Sequence, residues 1–220
     1  MGRKKLLYFE HNTLANNVLE ESKPIYNLIK GKWNETFFKN NNKNVLEIAC
    51  GKGEFTVGLA KQYPNVNFIG IDMKGDRLAV GSKNAINEGL SNAAFLRTNV
   101  FFIENFFGEN EVDEIWIVFP DPFNVKSNRE NRRLTNVFFL EKYRRILKNG
   151  GVLHLKTDSQ ELFDYSICQL GELKQEEILR TNDFYESEFK NDHFGIQTKF
   201  ETVFMKRGFS IKYLKTKLFK

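Results

Sequence analysis

Four carboxylates stand where a short apolar run gives out: Glu47 near the end of NVLEIAC, Asp72 at the end of NFIGID, Asp121 just past EIWIVFP, and Asp158 at the end of GVLHLKTD. An acid at the mouth of a strand can neutralise a bound cation, or accept hydrogen bonds from hydroxyls and ring N–H groups. Glu47 leads into a glycine-rich turn, EIACGKGEF, that opens a helix, a place where backbone amides often cradle phosphate. Dinucleotide binding asks for G-x-G-x-x-G. Counted from Gly51, the third glycine falls at Thr56, and Glu54 inside the turn puts a carboxylate where a pyrophosphate would approach. The lysine-serine pair of a P-loop is missing as well. Glu47 would instead attract an ammonium or sulfonium, and Asp72, 21 residues after Gly51, suits a pair of ribose hydroxyls.

S-adenosylmethionine presents those groups and no phosphate. Glu47, Gly51, Gly53 and Asp72 therefore predict its site in a class I methyltransferase, against the alternative of a tight turn with no ligand. The elements that must hold these residues alternate. Strand patterns at 44–50, 67–72, 93–99, 114–120 and 151–158 are separated by helical patterns in EFTVGLAKQYP, DRLAVGSKNAINEG (capped by Gly89) and NVFFLEKYRRILKNGG. SQELFDYSICQLGEL reads as a further helix, and the tail ends in strand-like FSIKYLKTKLF. Alternation of this kind predicts an α/β fold with a mostly parallel, Rossmann-like central sheet flanked by helices, binding its ligand at the carboxyl ends of the strands. Residues 1–43 read as an N-terminal extension with a helix in 22–38, and residues 44–220 as the methyltransferase domain; KNNNKN separates them as a loop.

Charge has a place as well as a size. The chain of 220 residues carries a net +5, and between Lys126 and Lys148 eight bases face two acids, a local +6. That run predicts attraction to a polyanion, the alternative being a solvated helix face. The two cysteines, Cys50 and Cys168, have no metal-ligand spacing and read as free thiols. No signal-peptide pattern and no long uncharged apolar run appear, so the expected location is cytoplasmic, with no membrane and no metal partner. TKFETVFMKRG carries a capping box, Thr198 and Glu201, with Gly208 ending the helix. His154, between two leucines, reads as structural.

Taken in order, LEIACGKG, GID, FPDPF with a following RR, LHLKTD and TKFE resemble the bacterial tRNA (guanine-N7)-methyltransferases, over about residues 35–220. The resemblance implies transfer of a methyl group from S-adenosylmethionine to a guanosine in the variable loop of tRNA. It implies cofactor contacts at Glu47, Asp72, Asn99 and Asp121, with Asp121 as the catalytic acid. Substrate contacts fall on Lys126, Asp158, Thr198, Lys199, Phe200 and Glu201, and RNA contacts on Asn128, Arg129, Arg132 and Arg133. The sequence departs from the family at Ala49, where a glycine is usual, at Asn99, where an acid is usual, and at Phe123, where a tryptophan is usual. The loop NVKSNRENRR is one residue longer, which puts Lys126 at the substrate position and Val125 in the unshifted register. Two other readings stay open: methylation of an exocyclic amine, since DPF is close to the D-P-P-F type of motif, and a non-catalytic RNA-binding protein on the same fold. Monomer and homodimer are both compatible with the sequence.

Overall fold

The computed structural model describes residues 3–123, 129–175 and 177–220. Eight strands form one sheet in the order β1-β4-β3-β2-β5-β6-β8-β7, with β1 Val18–Leu19, β2 Lys43–Ile48, β3 Val66–Asp72, β4 Ala93–Arg97, β5 Val112–Val118, β6 Leu147–Thr157, β7 Ile178–Thr181 and β8 Lys212–Leu218. The first six pair in parallel; β8 runs antiparallel to β6 and to the edge strand β7. The central strands read as nearly unbroken apolar runs because both of their faces are covered. Val45, Phe68, Phe95 and Trp116 pack with α2 (Glu54–Gln62) and α3 (Gly75–Asn87). Their alternates Leu46, Ile69, Leu96 and Ile117 pack with α4 (Val137–Ile146) and α5 (Gln160–Glu172) on the other side.

The chain reverses its direction of travel across the sheet at β2, which has β3 on one side and β5 on the other. A crevice forms at such a switch point, beyond the carboxyl ends of the two strands. Here those ends carry the glycine turn and the connection that holds Asp121.

The segment before β2 packs on the sheet and its helices, and one part of it differs from the sequence expectation. Residues 3–20 supply α1 (Arg3–Leu14), packed on α3, and β1, which extends the sheet through Val18 opposite Phe95. Residues 22–38, expected to hold a helix, run as turns into a short π-helix, Trp33–Phe38. Tertiary anchors override the local periodicity: the Glu111 carboxylate accepts from the N–H groups of Gly31 and Trp33, and the Trp33 indole donates to the Phe106 carbonyl at 2.8 Å. Boundaries also shift at α4, which stops at Ile146, so that β6 begins at Leu147. The last helix, α6 (Lys199–Lys206), has the expected capping box, with Gly208 at a φ of +81° just beyond its end. Among the described residues no helix is long and apolar enough to cross a membrane.

Candidate active site

The turn after β2 is built from left-handed residues. Ala49, Gly51 and Gly53 have φ of +58°, +57° and +67°. Ala49, standing where the resembled family has glycine, adopts the glycine conformation at a cost of about 1 kcal/mol. The two glycines serve different ends. A Cβ on Gly53 would lie 2.5 Å from the Phe95 ring, so this position is set by packing of α2 on the sheet, whereas a Cβ on Gly51 would meet nothing within 4 Å. Gly51 therefore fronts open space.

Carboxylates surround that turn. Asp72 takes the N–H of Gly51 at 2.9 Å on one oxygen and that of Lys74 at 2.8 Å on the other, tying the ends of β2 and β3 together. Glu47 is buried against the start of α2, where it accepts from the N–H and hydroxyl of Thr56. Burial pushes the Glu47 carboxyl up to about 8 despite those bonds from Thr56, with Asp72 and Glu54 adding repulsion. Asp72 and Glu54 beside the glycine turn favour a cationic ligand over a phosphate, and a bound cation would draw Glu47 toward its charged form as a third acceptor. Asn99, exposed, caps the 3₁₀ turn after β4 by accepting from the Phe101 N–H.

Across the switch point, β5 ends in a constrained connection. Phe119 and Phe123 both have positive φ, +48° and +40°, unusual for bulky residues, and Pro120 and Pro122 restrict the backbone between them. Asp121 sits exposed at the middle, its Oδ1 accepting from the Phe123 N–H at 3.0 Å. The Phe119 N–H donates to the Lys156 carbonyl at 2.9 Å, so the two strand ends carrying Asp121 and Asp158 are joined just before the acids. Asp158 is half-buried, its carbonyl accepting from Lys212.

The start of α6 closes the arrangement. The Lys199 N–H donates to Glu54 at 2.7 Å, tying α6 to the helix of the glycine turn, and Phe204 stacks on Phe119 with ring centroids 6.3 Å apart. Phe200 is 68% exposed and Lys199 is exposed too, whereas Thr198 and Glu201 are buried. Glu201, expected among the substrate contacts, spends its carboxylate inside the protein on Lys156, Tyr185 and its own helix cap.

The basic run does not become one cationic face. Arg133 is 1% exposed, where a phosphate contact was expected. Its guanidinium donates to the carbonyls of Pro122 and Phe123, pairs with Glu161 and lies 4.5 Å over the Tyr165 ring. Lys142 and Arg145 pair with Glu104, Arg144 with Glu141, and Lys148 with Asp113. Arg129 and Arg132 stay exposed, with no ion pair among the described residues. Lys126 and Asn128 lie outside the described residues. A separate cavity of about 520 Å³ lined by Glu114, Trp116, His154 and Lys215 opens over the middle of the sheet, short of the strand ends. His154 is structural there, stacked on Trp116 and bonded to Tyr213 and Glu114. Cys50 and Cys168 are free.

Sequence reasoning missed the clamp of Arg133 and the burial of Lys156. A lysine inside the apolar run LHLKT was the one available signal for the second.

The class of protein follows from fold and turn together: residues 41–214 match a family described as "Putative methyltransferase". The fold is shared with a 16S rRNA (adenine(1408)-N(1))-methyltransferase of Catenulisporales acidiphilia solved with its cosubstrate SAM, at a TM-score of 0.59 and 12% identity, covering 94% of this chain and 96% of that one. Closer relatives narrow the class. The tRNA (guanine-N(7)-)-methyltransferase of Christiangramia forsetii is 44% identical over 99% of this chain and its own full length. That of Cytophaga hutchinsonii is 42% identical over 98% of this chain and 97% of its own. The chain belongs to the tRNA (guanine-N(7)-)-methyltransferase family.

Proposed function

We propose that this protein transfers the methyl group of S-adenosylmethionine to N7 of a guanosine in tRNA, the variable-loop guanosine of the family resemblance. The observation that carries the reading is the convergence, at one switch point, of an acid-ringed glycine turn with two further acids on adjacent strand ends. Glu47, Gly51 and Asp72 would hold the cofactor, with Asn99 at the neighbouring strand end; when bound, it supplies an electrophilic methyl group.

Guanine N7 has an in-plane lone pair and attacks without losing a proton, so the chemistry asks for no general base. The chain's contribution is alignment of the acceptor, an effect worth about 7–11 kcal/mol in favourable cases. Methylation leaves the guanine cationic, and Asp121 and Asp158 would stabilise charge as it develops in the ring and accept from its N1–H and exocyclic amine. Asp121 is the catalytic residue in this reading. Extracting the base from its stack costs a few kcal/mol, and the exposed ring of Phe200 and the half-buried ring of Phe123 are available to stack on it. Arg129 and Arg132, with Lys126 and Asn128 on the same connection, would take phosphates and set the position of the RNA. The protein acts in the cytoplasm, as a monomer or homodimer.

The test is incubation of the protein with unmodified tRNA and methyl-labelled S-adenosylmethionine, followed by borohydride and aniline. Strand scission at a labelled guanosine is expected. Label without scission would instead indicate an amine acceptor, and tRNA binding without label a non-catalytic protein.

A further inference from the structure

Beneath the exposed start of α6 lies a charge pair with no access to solvent. Lys156 and Glu201 have side chains 0% exposed, and Nζ stands 2.5 Å from Oε1. The pair is over-determined: the Tyr185 hydroxyl donates to the same Glu201 oxygen at 2.7 Å, Lys156 reaches His193 Nδ1 at 3.1 Å, and its ammonium lies 4.7 Å over the Phe184 ring. The other Glu201 oxygen accepts from the Thr198 N–H, completing the cap.

Stability alone gives a weak reason for such a pair, because an apolar pair of similar volume often serves as well. Direction is a better one. Lys156 lies two residues before Asp158, and Glu201 follows directly on residues 198–200, so the bond between them fixes the strand bearing one proposed guanosine contact against the helix turn bearing the others. We propose that Lys156 is a positioning residue for the methyl acceptor, acting through Glu201 to hold the first turn of α6 in register with Asp158. The proposal rests on the reading that this cleft takes the guanosine.

The experiment is steady-state kinetics of Lys156→Met on tRNA, with cofactor binding measured separately and folding checked by circular dichroism. The KM for tRNA should rise at least tenfold while the Kd for S-adenosylmethionine stays within twofold. A KM within twofold of wild type, or a Kd and KM that rise together, overturns the proposal.

Glu201→Gln gives a second readout that decides the matter should Lys156→Met not fold. Glutamine keeps the shape and the cap, but leaves the lysine cation without its counter-charge among His193 and Tyr185 of the connecting segment, Asp192 beside them, and the neutral Phe184 ring. Burial already lowers the pKa of Lys156. The variant's KM for tRNA should therefore be raised at pH 6.5 and return toward wild type at pH 9, relative to wild type at each pH; a pH-independent ratio contradicts the role. Wild-type protein that makes no 7-methylguanosine would refute the functional reading itself, a result separate from either variant outcome.

Discussion

The Phe119 N–H donates to the Lys156 carbonyl at 2.9 Å, and Asp121 and Asp158 each stand two residues beyond that bond. The last rung between β5 and β6 thus delivers two carboxylates to one end of the sheet. Among the described residues Asp121 bonds only a neighbouring backbone amide, and it is exposed, so its removal costs the fold little. Asp121→Ala should lower kcat by about 10²–10³, as loss of one preorganised charge-stabilising group does, with tRNA affinity within a few-fold of wild type. Single-turnover rates and filter binding check this; normal turnover with weakened binding would assign Asp121 to docking instead.

The glycine turn makes opposite predictions for its two glycines. Gly53→Ala drives a Cβ into the Phe95 ring and should destabilise the protein by roughly 2–4 kcal/mol. Gly51→Ala meets open space, costs about 1–2 kcal/mol through its positive φ, and should raise the Kd for S-adenosylmethionine by tenfold or more. Chemical denaturation and calorimetric titration of the two variants separate the roles.

Glu47 links stability to pH. Its pKa in the folded chain, about 8, lies above that of an unfolded carboxylate, so the folded state holds a proton that the unfolded state has lost. The contribution is present at acid pH and is lost as pH rises toward 8. Wild type should melt lower at pH 9 than at pH 6 by more than Glu47→Gln does. Equal pH dependence in both would show that Glu47 titrates normally.

Arg133 and its neighbours should part company. Arg133→Ala removes a buried guanidinium from two carbonyls and Glu161, and should cost about 3 kcal/mol of stability. Arg129→Ala and Arg132→Ala should leave the melting temperature within a degree or two while weakening tRNA binding. Each should reduce the slope of log affinity against log salt by about 1.

Much of this architecture is legible in the chain because the central strands β2 to β6 are buried on both faces and therefore written as apolar runs ending in turns. The acids at 47, 72, 121 and 158 are visible for the same reason, as charges that interrupt those runs. What escapes is long-range. Nothing near Trp33 announces that Glu111 and the Phe106 carbonyl will hold it, so a segment with helical spacing becomes turns and a π-helix. Glu104, Asp113 and Glu161 are 28 residues or more from the bases they neutralise, so a local excess of +6 overstates the cationic surface. Glu201 shows a capping box in sequence, but its counter-charge, Lys156, lies on β6, 45 residues earlier in the chain.

Nucleophilic attack by N7 is the claim on which the roles of Asp121, Asp158 and the cofactor turn depend, and replacing that single atom tests it. A tRNA transcript made with 7-deazaguanosine keeps every hydrogen bond of the Watson–Crick face and lacks the acceptor. If N7 is the nucleophile, this transcript binds with a Kd near that of the normal one and takes up no methyl label, whereas the normal transcript approaches one methyl group per molecule. Equal labelling of the two would contradict attack by N7.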